Sequence, residues 1–322
     1  MASEMNRRAF VKGSVLASAG AALAMGGGGQ QPSAVAGEQP RAPAQPPSAQ
    51  NVLPKGKIGE LEVSRVLLGG NLLTHFTHSR DLRYVYSLAA HYNTDEKVME
   101  TMAVAEANGI NTLSMHNPPH PMSVLRKYRK ERGGKIQWII CPTAEIEPGL
   151  AKYAQQVQEL IDDGCEAIYL WGVRADALVA QGKIDLLGKA VELAKAQGVP
   201  SGVGCHSLDV VVACEKNKIN CDFYIKTLHH HNYPSAKLNY DSMWCTNPDE
   251  TIEFMKTVQK PWIAFKTMAA GAIPPKDAFE YVFRNGADFL LAGMFDFEIA
   301  EDVRMVKDLL AKLPQRARPW HA

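Results

Sequence analysis

Eight short apolar segments rich in β-branched and aromatic residues recur from residue 57 onward, and each predicts a β-strand. They are VSRVLLGGN (63–71), GINTLSMH (109–116), IQWIICPTAE (136–145), AIYLWGVR (167–174), PSGVGCH (200–206), DFYIKTLH (222–229), PWIAFKT (261–267) and ADFLLAGM (287–294). The segments between them have helical periodicity, and several end in glycine just before the next strand, as helix C-caps do. Strands that are apolar on both faces and alternate with helices predict a parallel sheet covered by helices.

Eight strand–helix units most often close into a (β/α)8 barrel, so we predict an α/β fold of this type, a TIM barrel, over residues 55–322. An open doubly wound sheet is the alternative. It is disfavoured because no GxGxxG fingerprint follows the first strand, where the chain reads LLGGN. In a (β/α)8 barrel the active site lies at the C-terminal ends of the strands and on the loops that follow them.

Two lysines, Lys226 and Lys266, lie within apolar strands. A cation that faced the helix layer would be desolvated without an obvious partner, so strand alternation predicts that both point into the barrel. The residues expected to share their faces are Tyr224, Leu228 and His230 with Lys226, and Trp262 and Ala264 with Lys266. Two ammonium groups in one cavity would lower each other's pKa, which makes a lysine a nucleophile or a base. The alternative is a structural ion pair with a buried carboxylate, for instance Glu145 or Asp296.

Histidines and one glutamate end several of the predicted strands. Alternation turns His206 into the barrel above the space left by Gly202 and Gly204, and turns in side chains from two other strands as well. Those are Ser114, His116, Cys141, Thr143 and Glu145. Imidazoles with a carboxylate suit Zn, Mn, Fe or Co, so His206, His229 and Glu145 form a candidate metal site, although no HExxH-type spacing supports it. The alternative for each histidine is a hydrogen-bonded packing role.

These patterns define the candidate site. The candidate catalytic residues are Lys226, Lys266, His206, His229 and Glu145. The candidate substrate contacts are Asn71, His116, Arg174 and His231, at or just after strand ends, and Trp171 within the fourth predicted strand. The insertion 72–94, which follows the first strand, is long, polar and aromatic, as lids and substrate walls often are.

The N-terminus predicts export. Twin arginines, Arg7 and Arg8, precede a weakly apolar run of small residues, which is typical of a twin-arginine signal peptide over residues 1–36. The run is too short for a membrane anchor, so we expect a cleaved signal and a periplasmic or otherwise exported protein whose partner in transit is the twin-arginine machinery. Residues 37–54 are rich in Gly, Gln, Pro, Ala and Ser and predict a disordered linker.

Composition narrows the function classes. Lys plus Arg (35) nearly cancel Asp plus Glu (34), and no basic block with interleaved aromatics is present, so nucleic acid is not an expected partner. The six cysteines show no CxxC spacing and mostly lie in apolar runs, which predicts buried thiols.

Four segments resemble aldo-keto reductases, in order along about residues 57–310. GKIGELEVSRVLLGGN is similar to the N-terminal hairpin and first strand of that family, and it is the specific one. TDEKVMETMAVAEANGINTL resembles the first helix and second strand, PWIAFKTMAAGAI the seventh strand and its turn, and NGADFLLAGMFDFEIAEDV the last strand and the next helix. The resemblance implies a (β/α)8 barrel that uses NADP(H) to reduce carbonyl compounds.

The residues that carry the family's chemistry are missing. The family uses an aspartate after the second strand, a tyrosine soon after it, a lysine ending the third strand and a histidine ending the fourth. The corresponding positions here are Ser114, Pro118 or Pro119, Pro142 or Thr143, and Gly172 or Val173. Since the tyrosine is the proton donor, the usual reduction is not expected to run. The family's basic phosphate-binding segment is replaced by acidic FDFEIAEDV, which would repel a 2′-phosphate.

Three functions stay open. The first is an oxidoreductase by descent with rebuilt chemistry on a small carbonyl compound or sugar. The second is a lyase or isomerase that uses Lys226 or Lys266 with help from a histidine or a metal ion. The third is a non-catalytic relative that binds carbohydrate through the aromatic insertion.

Overall fold

The computed structural model describes residues 52–238, 240–313 and 315–322. The predicted signal peptide and the predicted linker as far as residue 51 lie outside these residues. Leu53, near the end of the predicted linker, is buried in the core, and the carbonyl oxygen of Pro54 accepts a hydrogen bond from the amide of Arg65.

All eight predicted strands are present, and a short hairpin precedes them. The strands are β1 Lys55–Ile58, β2 Leu61–Ser64, β3 Val66–Gly69, β4 Thr112–His116, β5 Gln137–Cys141, β6 Ala167–Leu170, β7 Ser201–Cys205, β8 Phe223–Thr227, β9 Trp262–Phe265 and β10 Phe289–Ala292. The strands β3 to β10 are parallel and close into a barrel in the order β10-β3-β4-β5-β6-β7-β8-β9. The predicted (β/α)8 barrel is therefore confirmed, and the open sheet is wrong.

Helices follow the strands and cover the barrel. In the described residues they are α1 Arg83–Tyr92, α2 Asp95–Ala107, α3 Pro119–Arg132, α4 Ala151–Asp162, α5 Gly172–Ala180, α6 Ile184–Lys195, α7 Leu208–Lys216, α8 Pro248–Met255, α9 Pro275–Arg284 and α10 Asp296–Lys312. A short 3-10 turn spans Ala236–Leu238. Gly109, Gly164 and Gly198 follow α2, α4 and α6 with positive φ, as the sequence predicted for C-caps.

Two apolar clusters separate the inside of the barrel from the layer between barrel and helices. The inner cluster contains Ile139, Tyr169, Phe223, Ile225 and Phe289, while the outer cluster contains the alternate residues of the same strands. Gly202 leaves room inside, because a Cβ there would lie 2.5 Å from the ring of Phe223.

The hairpin β1–β2 closes the N-terminal end of the barrel. Ile58 and Val63 are fully buried and belong to the inner cluster, and the Ser64 amide bonds Asn111 at the start of β4. With this end plugged by side chains, the open end is the C-terminal one, where the strand ends and their loops lie.

All six cysteines are buried and free, as expected. Among the described residues, no helix combines the length and apolarity that crossing a bilayer requires.

Candidate active site

A cavity of about 690 Å³ opens at the C-terminal end of the barrel. Five of the residues predicted from the sequence line it, together with Ser114 and Cys141, whose inward orientation was also predicted. The five are Asn71, His116, Trp171, His206 and Lys266. The insertion after the first strand contributes Phe76, Thr77 and His78 to the wall. The structure thus brings half of the proposed site together.

Lys266 reaches the cavity by a route that alternation did not predict. Phe265 packs with the inner cluster, while Trp262 and Ala264 face the helices, so the predicted companions of Lys266 were assigned to the wrong face. The strand ends at Phe265, and Lys266 itself has φ 55°. This left-handed turn, which costs about 1–2 kcal/mol for a residue with a Cβ, redirects the lysine into the cavity.

The ammonium nitrogen of Lys266 has two close neighbours. Nζ lies 2.7 Å from Nε2 of His78 and 3.3 Å from the centroid of the Trp244 ring. His78 Nδ1 in turn lies 2.9 Å from a carboxylate oxygen of Asp241. His78 therefore donates from Nδ1 to Asp241 and accepts at Nε2 from Lys266, which links a carboxylate, an imidazole and an amine in a line.

Burial tunes this lysine toward neutrality. It lowers the pKa of Lys266 to about 7, against the opposing effect of the Asp241 carboxylate. Burial also lowers the pKa of His78, and the charge of Lys266 adds to that shift. Near pH 7 a large fraction of Lys266 is consequently a free amine, which can act as a nucleophile or a base, while the remaining ammonium fraction can act as an acid.

His206 forms a second oriented imidazole in the wall. Its Nδ1 lies 2.7 Å from Asp176 Oδ2, and the same carboxylate accepts the backbone N–H groups of His206 and Ser207. No described residue bonds its Nε2. A Cβ on Gly172 would lie 3.3 Å from the His206 ring, so a glycine there keeps this approach open. His206 can therefore exchange a proton with a ligand through Nε2.

Aromatic rings form the rest of the wall. The centroid of Trp244 lies 4.9 Å from that of His78 and 5.2 Å from that of His206. His116 stacks on Trp171 with 6.0 Å between centroids and 7° between planes. Flat apolar faces with polar edges suit the CH surface and hydroxyls of a sugar or another small oxygenated compound.

Lys226 does not enter the cavity, which corrects the prediction of two lysines in one site. Its neighbours across the strands are Cys205 and Ala264, both in the outer cluster, so it faces the helix layer. The side chain is fully buried, and Nζ donates to the carbonyl and hydroxyl oxygens of Thr227, each at 3.0 Å. Those hydrogen bonds give the buried lysine polar partners without a carboxylate. The prediction from strand alternation had not considered neighbouring backbone and hydroxyl oxygens as partners.

His229 and His231 also lie outside the cavity wall. His229 is fully buried and accepts the backbone N–H of Trp244, while His231 Nε2 lies 2.7 Å from the carbonyl oxygen of Cys245. Both histidines therefore have the hydrogen-bonded packing role that was the alternative to a place in the substrate site.

Glu145 and Arg174 pair with each other at 2.6 Å, and the Glu145 side chain is 64% exposed. Neither lines the cavity. The proposed metal triad of His206, His229 and Glu145 is therefore not assembled. In the part of the chain that the structure describes, no cluster of three His, Cys, Asp or Glu side chains has metal-binding geometry.

Four residues of the site were missed: His78, Asp176, Asp241 and Trp244. The sequence placed His78 in a loop likened to a lid, and that was its only signal. Asp176 lies in the second turn of α5, and Asp241 and Trp244 lie in the irregular segment between β8 and α8. No strand-end rule could find the last two, because they reach the site from within a long loop.

The cavity wall fits a phosphorylated nicotinamide cofactor poorly. Among the described lining residues Lys266 is the only lysine or arginine, whereas α10 contributes the acidic side chains of Glu298 and Asp302; burial and the neighbouring carboxylates raise the pKa of Asp302 to about 7, so Glu298 carries the firmer negative charge. A 2′-phosphate near α10 would meet like charge, as the segment FDFEIAEDV had predicted. The NADP(H) implied by the resemblance is therefore not supported by the residues present.

No protein-family model and no curated protein matches the sequence. A protein assigned as an aldo-keto reductase from Pseudomonas aeruginosa is similar in structure, with TM-score 0.53 and 17% identity over 82% of this chain and 99% of its own. The holo form of the aldo-keto reductase AKR11C1 from Bacillus halodurans gives TM-score 0.55 and 14% identity over 82% of this chain and 93% of its own. The chain has an aldo-keto reductase-like (β/α)8 barrel fold.

Proposed function

We propose that this chain is an enzyme of the lyase or isomerase type that acts on the carbonyl group of a small compound or sugar through Lys266. One observation carries the proposal: Lys266 lies in the cavity with its pKa lowered to about 7 and its Nζ 2.7 Å from His78. A surface lysine titrates above pH 10 and has no comparable fraction of free amine at neutral pH.

The chemistry balances without an external oxidant or reductant. The free amine of Lys266 adds to the carbonyl carbon, the oxygen leaves as water after taking up two protons, and a cationic imine remains. That cation withdraws electrons, so an adjacent C–H or C–C bond can break and be remade. Water then hydrolyses the imine, which returns the carbonyl group and the amine.

The two histidines have separate parts in this proposal. His206, oriented by Asp176, presents Nε2 to exchange protons with the carbonyl oxygen or the adjacent carbon. His78, oriented by Asp241, accepts from and returns a proton to Lys266. Lys226 has no part, because it lies on the other side of the barrel wall.

Reduction of the carbonyl group is the second candidate. The shared barrel fold supports it, as does a run of small residues along the cavity wall at Gly69, Gly70, Ala270, Gly271 and Gly293, against which a flat ligand could lie. A dinucleotide that lacks the 2′-phosphate would avoid the repulsion of that group at Glu298.

Borohydride trapping tests the main proposal. Glycolaldehyde, dihydroxyacetone and a set of unphosphorylated aldoses are incubated with the enzyme and cyanoborohydride, and peptide mass spectrometry locates the adduct. We expect an adduct on Lys266 that is lost in Lys266→Met and kept in Lys237→Met, a variant of an exposed lysine. Adducts spread over surface lysines, with none favoured at Lys266, would overturn the proposal.

Titration with NADH and NADPH, followed by tryptophan fluorescence, tests the second candidate. Saturable quenching by NADH but not by NADPH would support it. Absence of quenching by either would remove it and leave the lysine chemistry standing.

We also propose that the protein is exported by the twin-arginine route, on the strength of Arg7 and Arg8 and the small-residue run after them. Fractionation of a bacterial host is the test, with R7K/R8K as the matched variant. Equal recovery of both proteins from the periplasm would contradict the proposal.

A further inference from the structure

The ring of Trp244 contacts Lys266, His78 and His206, the three side chains to which the proposed function assigns chemical roles. The Lys266 ammonium lies over its ring, and the rings of His78 and His206 flank it. It lies in the loop between β8 and α8 and belongs to neither element. Something must fix the backbone of this loop if the ring is to form a constant wall beside Lys266.

His229 bonds two successive backbone amides of that loop. Its Nε2 accepts the N–H of Trp244 at 3.0 Å and the N–H of Cys245 at 2.9 Å. Its Nδ1 lies 3.1 Å from the carbonyl oxygen of His230, which places the ring proton on Nδ1. A single neutral imidazole therefore serves as an acceptor for both amides.

The surroundings keep the ring in that form. Burial lowers the pKa of His229 to about 4, and the nearby titratable groups His230, His231 and Lys226 do not reverse that shift. The acceptor is consequently retained over the whole neutral range.

Neighbouring residues of the same segment hold the loop from the other side. Thr227 Oγ1 lies 2.9 Å from the carbonyl oxygen of Trp244 and accepts from Lys226 Nζ at 3.0 Å. His231 Nε2 bonds the carbonyl oxygen of Cys245. Side chains of residues 227–231 thus form hydrogen bonds with the backbone of both Trp244 and Cys245.

We propose that His229 is a positioning residue that sets the place of Trp244 and, through that ring, the environment of Lys266. The inference rests on the proposed function of Lys266 as the reacting amine. Loss of the acceptor would leave two buried amides without partners, so the loop would move and water would reach the lysine.

The experiment measures how readily Lys266 reacts as a function of pH. Formaldehyde with cyanoborohydride methylates only the free amine, and peptide mass spectrometry quantifies methylation at residue 266. In His229→Leu we expect the midpoint to rise by roughly one pH unit or more toward that of an ordinary lysine. His229→Gln places an amide oxygen near the position of Nε2 and should keep the original midpoint.

A double variant separates positioning from general loss of stability. In a Trp244→Phe background, His229→Leu should shift the midpoint less than it does in the original chain, because both changes act through one ring. Val191→Ala, which leaves a cavity beneath the buried face of α6, should lower stability without moving the midpoint. His231→Ala removes an exposed side chain, stays folded, and should give a smaller rise than His229→Leu.

An unchanged midpoint in folded His229→Leu would overturn the inference. If that variant does not fold, an unchanged midpoint in His231→Ala would overturn it instead, as would additive shifts in the double variant. The readout needs no turnover, so it remains decisive even if the aldose trapping experiment fails.

Discussion

Lys266 Nζ and His78 Nε2 lie 2.7 Å apart, although 188 residues separate them in sequence. Asp241 bonds the other nitrogen of the same imidazole. The relationship gives the cavity an amine whose proton can pass to an imidazole held by a carboxylate. Asp176 and His206 form a second carboxylate–imidazole pair in the same wall.

Because of Lys266, the free energy of unfolding should increase as the pH rises above 7. Its pKa is lowered in the native state, so the unfolded chain binds the extra proton between pH 7 and about 10.5. The free energy of unfolding of the original chain should therefore rise relative to Lys266→Met as pH goes from 7 to 9.5, by about 1.4 kcal/mol per pH unit at most. Urea titrations at pH 6, 7, 8.5 and 9.5 would check this, and a pH-independent difference between the two proteins would contradict it.

Asp241→Asn should lower the pKa of Lys266 still further. The Asp241 carboxylate favours the ammonium, and an amide of the same shape removes that charge while it can still accept from His78. The methylation midpoint at residue 266 should fall below its original value. Asp176→Asn is the matched control, since it removes a charge beside His206 and should leave the midpoint in place. Equal shifts in the two variants would show that the His78 connection is unimportant.

Asp302 should destabilise the fold at neutral pH. Burial and the carboxylates of Glu298 and Glu301 raise its pKa to about 7, so the native state holds a proton that the unfolded state releases above about pH 4. Stability contributed by the protonated acid is lost as pH rises from 4 to 7. Asp302→Asn should therefore gain on the order of 1–3 kcal/mol relative to the original chain between pH 4 and 8. Chemical denaturation at both pH values measures the gain, and the reverse trend would contradict the assignment.

The buried ion pair between Arg318 and Asp288 should make a large contribution to the free energy of unfolding. Arg318 and Asp288 lie 2.6 Å apart with both side chains fully buried, and Asp288 also accepts the amide of Trp262. Arg318→Leu leaves the buried Asp288 carboxylate with only the more distant Arg316, at 3.8 Å, and should cost about 3 kcal/mol in the free energy of unfolding. Lys55→Met, which breaks the exposed pair with Glu62, should cost less than about 1 kcal/mol. Similar losses in both variants would show that burial does not set the strength of these pairs.

The barrel could be predicted from the sequence because each strand had an apolar run with a helical segment after it. The location of the site followed from the same pattern, and His116, His206 and Lys266 were found at strand ends for that reason. The orientation of Lys226 was predicted wrongly because alternation shows only that successive side chains point to opposite faces of the strand. Which face is inner depends on packing, and here Phe223 and Ile225 occupy the interior. Lys266 reached the cavity only because the strand stops one residue before it.

The partners of the site residues were beyond the reach of local patterns. Asp176 lies on a helix, and Asp241 and Trp244 lie in a loop that carries no periodicity. Their positions depend on contacts between distant segments, such as the bonds from His229 to Trp244. His229 raised the expectation of metal chemistry together with His206 and Glu145, but its ring instead bonds the backbone of the loop that it faces.

Among the described residues, the hairpin that closes the N-terminal end of the barrel leaves the C-terminal end as the entrance to the cavity. Ile58 and Val63 fill the opposite opening, so substrate and product must travel by the same path past Phe76 and α1. One molecule must leave before the next can approach Lys266. A bulky side chain introduced at that entrance would thus slow arrival and departure together, while leaving the reaction inside untouched.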